Sequence, residues 1–415
     1  MKTYLTLFGL CLLLIAQPMH AQAEKILFVG GQHSNKAKIN QLRQMLAGDT
    51  LSIDQHNAGD IKDLNEAAGL FAQYDLVILD AVSENSSKTT YMKYAPVIAQ
   101  IGSRVLPIKW PEGVVLRRGI SEAQARTLFD YYDNGGAQNL QNMLLYLQHR
   151  VFAKDTLAVA EPVIFPAAGI YHPDYARLVF ENSREYLAWR GQLKSNREAG
   201  NKPMIGLLMH RAAIEAMETG VIDTTIRAFE ARGAVVVPFF FGSSRAAEYG
   251  PILDAQQRSV VDIIVNFRSI HQANLRKTEF EQLGVPVVQA LTYYEGNQSV
   301  WEQDPQGIPA NSMAFTLALP ETAGVIDPML IAARDKTTHE VAVIDYQLQH
   351  LVDRVMAYAN LKYKPNVEKQ ITVMVWGDKA VGASFLNVPD SLRAIAARLN
   401  QEGYAIDAVS SDYFT

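Results

Sequence analysis

The sequence predicts an α/β protein: two doubly wound parallel-sheet units followed by the start of a third α/β unit. Three observations carry that expectation. Apolar strand-like runs without inside/outside alternation recur at Lys25–Gly31, Pro203–His210 and Gln370–Gly377, as in strands covered by helices on both faces. Each run is followed by a polar turn and an amphipathic segment. The 415 residues, 48% of them hydrophobic, are enough for two or three cores at about 100–200 residues per domain.

Residues 1–23 read as a cleavable secretory signal. Lys2 supplies a positive start, Leu5–Ala16 is apolar except for Thr6, Pro18 breaks the run, and Ala21-Gln22-Ala23 offers a small-x-small cleavage site. The apolar run is shorter than the roughly 20 residues a membrane span needs, and no later segment has that length and apolarity. A periplasmic product starting at Glu24 is therefore expected, with no membrane span after cleavage. Cleavage takes Lys2 but no acid from 38 Lys and Arg and 43 Asp and Glu, leaving 37 against 43 and a net charge of −6. That balance offers no electrostatic footprint for nucleic acid. The only cysteine, Cys11, goes with the signal, which removes disulfides, thiolate catalysis and Cys-based metal sites.

The first unit, 24–155, follows as a regular alternation. Helices are expected near 37–48, 61–72 and 90–101, and strands at Leu51–Gln55, Tyr74–Asp80 and Arg104–Ile108. Two helices, near 121–132 and 136–150, close it. Residues 156–200, punctuated by Pro162, Pro166 and Pro173, read as a connecting segment. The second unit, 201–335, is expected to hold strands at Ile205–Met209, Ala234–Pro238, Val260–Val265 and Val285–Val288, with helices near 221–232 and 274–283. A linking helix near 338–360, within 336–365, leads to 366–415: a strand at 371–376, a helix near 389–402 and the run Tyr404–Val409. So short a fragment cannot bury enough surface to stand alone; it docks on the second unit or begins something larger.

The common catalytic signatures are missing: no P-loop, Gly-x-Gly-x-x-Gly, His-Glu-x-x-His or Gly-x-Ser-x-Gly. Gly30-Gly31 reads as turn chemistry, although a Gly pair also admits a ligand close to the backbone. In open α/β sheets ligands bind beyond the carboxyl ends of strands, and several polar groups fall there in the second unit. His210-Arg211 end one strand, Arg268 and His271 lie beyond another, Tyr293, Tyr294 and Glu295 follow a third, Trp301 comes soon after, and Glu321 follows the apolar Phe315–Leu319. His, Glu and Tyr ligate transition metals, Arg pairs with carboxylates, and Trp covers an apolar ring. Tyr171-His172-Pro173 either projects two side chains into a cleft or is a turn fixed by Pro173, with Asp174 capping the next helix.

Four segments, in order, carry a family resemblance: Ala168–Pro173, Leu283–Ala290 with Trp301, Leu319-Pro-Glu321 before Gly324, and Leu386–Leu392 before Glu402-Gly-Tyr404. They resemble the N-terminal part of the cobaltochelatase large subunit (CobN), whose family includes the magnesium chelatase H subunit. The resemblance implies a protein that binds a tetrapyrrole, haem or a corrinoid, and removes or inserts its divalent metal: iron, cobalt or magnesium. On that reading the strand-end residues His210, Glu321 and His271 are expected to serve metal or proton transfer, with His210 and Glu321 as metal ligands. Tyr171, His172, Arg211, Arg268 and Trp301 are then the ligand-binding set. The ATP-driven chelatases of the family work in the cytoplasm with AAA-type partners. An exported member resembles instead the haem-uptake branch, with an outer-membrane receptor or transporter system as its partner. An ATP-dependent cobaltochelatase fragment and a non-enzymatic periplasmic carrier of tetrapyrrole or metal are the other readings. The family's His-Gly-rich segment has no counterpart here, because no His-Gly pair occurs in the sequence.

Overall fold

A computed structural model of the chain describes residues 23–31, 36–46, 50–81, 84–109, 116–153, 155, 157–191, 202–242, 249–336, 340–374 and 387–406. Of the expected signal, residues 1–23, residues 1–22 lie outside these. The chain divides into two units: Met1–Ile164 with Glu215–Met217, and Phe165–Ile214 with Glu218–Thr415.

In the first unit the apolar runs become strands, and their partners are amphipathic helices. In order they are β1 (Glu24–Gly30), α1 (Lys36–Gln44), β2 (Leu51–Asn57), α2 (Leu64–Phe71), β3 (Leu76–Asp80), α3 (Glu84–Tyr91), α4 (Ala95–Gln100), β4 (Arg104–Pro107), α5 (Glu122–Asn134) and α6 (Gly136–Tyr146). All pairings in the sheet β2-β1-β3-β4 are parallel. Ile26 and Phe28 join one buried cluster and Leu27 and Val29 another, which is why β1 shows no alternation in sequence. The single helix expected near 90–101 is two. Pro96 lies in the first turn of α4, where its missing N–H costs nothing, and would break the ladder of a continuous helix. Ser121 and Gln124 form a capping box that starts α5.

The second unit continues with β5 (Ala168–Tyr171), β6 (Val179–Phe180), α7 (Ser183–Trp189), β7 (Met204–Met209), α8 (Arg211–Glu215), α9 (Gly220–Ala231), β8 (Val235–Phe241), β9 (Ile263–Asn266), α10 (Ala273–Leu283), β10 (Val287–Tyr293), α11 (Gln298–Gln303), α12 (Leu319–Thr322), β11 (Ile326–Arg334), β12 (Val341–Val343), α13 (Asp345–Leu361) and α14 (Val388–Gln401). Its sheet has the order β12-β11-β10-β9-β7-β8-β5-β6. The five strands from β11 to β8 are mutually parallel, while β12, β5 and β6 pair antiparallel at the margins. Apolar faces of α9 and α13 cover one side and α10 contributes to the other.

Several elements differ from the expectation. The stretch expected as a connection carries β5 and β6, which extend the sheet through the pairing of β5 with β8. The strand β11 has no forerunner in the sequence pattern, because Asp327-Pro328 and two alanines are poor strand formers and only its place in the sheet makes it one. The expected linking helix begins later, at Asp345, after the short β12. Phe315–Leu319 is a π-helical turn running into α12 rather than a strand. In the third segment α14 forms as expected with Asn387 as its cap. Residues 370–374 and 404–406 take no strand, and the remainder of those two expected strands lies outside the described residues.

Candidate functional site

The chain leaves β7 for β8 on one side, then crosses to β9 on the other side of β7. The carboxyl ends of β7 and β9 therefore flank the point where strand order reverses, the usual ligand crevice of an open α/β sheet. His210 follows the last residue of β7, and Arg211 opens α8 beside it. Arg268 lies two residues beyond β9 and His271 just before α10.

The loop after β9 is held by buried amides. The Asn266 side chain donates to the Arg268 carbonyl at 2.8 Å and to Gln289 Oε1 at 2.7 Å, and accepts from the Arg268 backbone N–H at 3.1 Å. Sequence reasoning misses Asn266 and Gln289. Their signal is nevertheless there: each is a polar residue in an otherwise apolar run, where burial demands a partner.

This clamp fixes the buried Arg268. Its Nη1 donates to the Phe241 carbonyl at 2.9 Å, and the guanidinium lies 4.2 Å from the centre of the Phe241 ring. Loss of solvent, with a smaller push from Arg276, lowers its pKa to about 10. Among the described residues no carboxylate pairs with it. The first unit's own switch point, between β1 and β3, is the contrast. There the buried Asp80 accepts from the Tyr132 hydroxyl at 2.9 Å, and Lys38 donates to the Tyr132 carbonyl at 2.6 Å.

His210 is exposed at the end of its strand. Loss of solvent, then the charges of Arg268 and His271, lower its pKa to about 4, so its imidazole is neutral at physiological pH. His271 is exposed and packs 5.0 Å from the Phe315 ring centre. Three basic side chains thus lie beyond two neighbouring strand ends: a neutral imidazole able to ligate a metal or accept a proton, and two groups able to donate to an anion.

The other expected site residues fall elsewhere. Tyr171 is buried and its hydroxyl donates to Asp223 at 2.9 Å. His172, wholly buried, lies 5.0 Å from Trp189 and within 3.2 Å of Arg190, whose guanidinium pairs with Glu230 at 2.5 Å. Burial and the Arg190 charge hold His172 below the usual histidine range. Both residues are occupied inside the fold and do not join the His210 group. Glu321 is exposed on α12, and among the described residues no hydrogen bond or ion pair joins it to His210. Trp301, on α11, lines a separate cleft. Among the described residues no three His, Asp or Glu side chains converge on a metal-sized point.

With this geometry in place, comparison with known proteins defines the class. Residues 129–413 match the model of the family described as CobN/Magnesium Chelatase. The chain belongs to that family. It is similar to the chloroplastic magnesium-chelatase subunit ChlH of Oryza sativa subsp. indica, 28% identical over 308 residues, covering 67% of this chain and 22% of that protein. It is also similar to the aerobic cobaltochelatase subunit CobN of Pseudomonas aeruginosa, 25% identical over 303 residues, with 69% and 23% covered. The catalytic subunit of cobaltochelatase from Mycobacterium tuberculosis shares the fold at a TM-score of 0.63 and 17% identity, over 92% of this chain and 31% of that one. The matched region amounts to 22% and 23% of the length of the two curated relatives.

Proposed function

We propose that this protein is an exported member of its family that binds a tetrapyrrole, haem or a corrinoid, and removes or inserts the metal. The observation that carries the reading is His210, held neutral at the strand-order switch beside Arg268, which has no carboxylate partner among the described residues, and the exposed His271. A macrocycle with acidic side chains needs cations to receive them, and its metal needs a donor atom not already protonated. Arg268 meets the first need, the exposed His271 ring offers a further hydrogen-bonding group beside it, and His210 meets the second. Arg211, at the start of α8, adds a further cation. Family membership supports the tetrapyrrole, and the secretory signal supports a route that does not use ATP.

Titrating the purified protein with haem tests this. The expected outcome is a saturable change in the Soret band, with His210→Ala losing the change that reports a protein ligand on the iron. Release of free iron or metal-free porphyrin over time would mark turnover, whereas stoichiometric binding without release would mark a carrier. A protein that alters the spectrum of neither haem nor any corrinoid ends the reading.

A further inference from the structure

His172 begins the turn that joins β5 to β6, and its imidazole takes part as an acceptor. The Asp174 backbone N–H donates to its Nδ1 at 3.2 Å, so the ring is neutral with its proton on Nε2. Nε2 faces Glu230 Oε1 at 3.5 Å, with Arg190 Nη1 3.2 Å away. The rings of Tyr186 and Trp189, from α7, stand 6.0 and 5.0 Å from it and help leave the side chain without exposed surface.

The charges around the ring are already matched. Arg190 pairs with Glu230 at 2.5 Å, while Arg227 pairs with Glu230 at 3.1 Å and with Asp174 at 2.5 Å. Two guanidiniums thus meet two carboxylates, and a third cation would be in excess. Asp223, also on α9, is engaged by the Tyr171 and Thr219 hydroxyls at 2.9 and 2.8 Å. A proton on Nδ1 would face the Asp174 N–H donor directly and place an imidazolium beside Arg190. The Asp174 carboxylate, 3.9 Å from Nδ1, is the partner that a protonated ring would draw in, away from Arg227.

The turn also carries strain. Its backbone is held by His172 N–H to the Leu178 carbonyl at 2.9 Å, Tyr175 N–H to the His172 carbonyl at 3.2 Å and Leu178 N–H to the Tyr175 carbonyl at 2.7 Å. Leu178 adopts φ of 62°, a left-handed conformation that a bulky residue keeps only while its surroundings enforce it.

We infer that His172 is an acid-operated latch: protonation of Nδ1 breaks its bond to the Asp174 N–H, draws Asp174 from Arg227 and frees the turn His172–Leu178 from α9. The latch does not depend on which ligand the protein binds. Burial and the Arg190 charge hold the closed ring below the ordinary histidine value of 6.5. Below that pH the opened turn therefore binds more protons than the closed one, and opening gains as pH falls.

Hydrogen exchange of the full chain, followed by mass spectrometry at about pH 7 down to about pH 5 with labelling times scaled for the intrinsic rate, tests the latch. In the wild type the amides of residues 174–180 should gain exchange several-fold more than the rest of the second unit as pH falls. His172→Asn offers an oxygen to the same Asp174 N–H, as in an Asx turn, and does not titrate, so its turn should stay protected. Arg190→Met removes the cation beside the ring and should move the opening up by about one pH unit, a second readout that stands even where the asparagine variant does not fold. Protection of the wild-type turn that does not change with pH would overturn the latch. Acid opening that persists in His172→Asn would overturn it in favour of Asp223 or another carboxylate. An opening midpoint unmoved by Arg190→Met would also overturn it, because the ring beside that cation would then not be the group that titrates.

Discussion

The imidazole of His210, at the end of β7, gives up hydration and lies near Arg268 and His271, and all three effects oppose its protonation. The pH consequence comes from the direction. His210 falls from 6.5 to about 4 on folding, so between those values the unfolded chain binds more protons than the folded one. Its contribution to stability is complete above pH 6.5 and is lost as pH falls toward 4. Urea midpoints measured near pH 7 and near pH 5 should differ by less in His210→Gln than in the wild type. A second residue shows why the segment Ala168–Pro173 carries a glycine. At Gly169 a Cβ would lie 2.8 Å from the Phe180 carbonyl and 2.9 Å from Val179, so β5 and β6 approach as they do only over glycine. Tyr171 and His172, two and three residues on, serve the same corner from inside the fold. From sequence alone a buried, bonded histidine and an exposed one at a strand end look identical. The neighbours each meets separate His172 from His210, from α7 and α9 in one case and from the β9 loop in the other, and those contacts are long-range.

Elements built on period and punctuation were legible. The first unit's strands and the helices α2, α5, α9, α10 and α14 lie close to where apolar spacing and caps place them. Elements that depend on a partner were not. The short β5, β6 and β12, and the bulged β11, have little strand character of their own. They exist because β8 and β10 offer open edges. A tie between distant elements at Asp262 was equally invisible. Its carboxylate accepts from the Met204 backbone N–H at 2.8 Å, Lys362 at 2.6 Å and the Tyr363 hydroxyl at 2.7 Å, joining the start of β7 to the end of α13. Asp262→Ala strips the acceptor from a backbone donor and a hydroxyl together. It should cost about 2 kcal/mol or more in chemical denaturation, with the joined ends of α13 and β7 the first to gain hydrogen exchange. A loss near zero would mean that water replaces the carboxylate without penalty.

At the scale of the whole chain, the proposed secretory signal would set the conditions for the chemistry. A product that begins at Glu24 would have no cysteine, so its metal chemistry would fall to His, Asp, Glu, Tyr and Met. Expression with residues 1–23 in a bacterial host, with mass spectrometry of the periplasmic fraction, should give an N-terminus at Glu24. An intact N-terminus in the cytoplasmic fraction would return the ATP-driven reading to the front. The margins of the large sheet have a different consequence. The strand at one edge, β6, is two residues long, and that at the other, β12, is three. A strand from a neighbouring molecule would find only a rung or two of backbone to bond, so at both ends the eight-stranded sheet is poorly suited to growth into an aggregate.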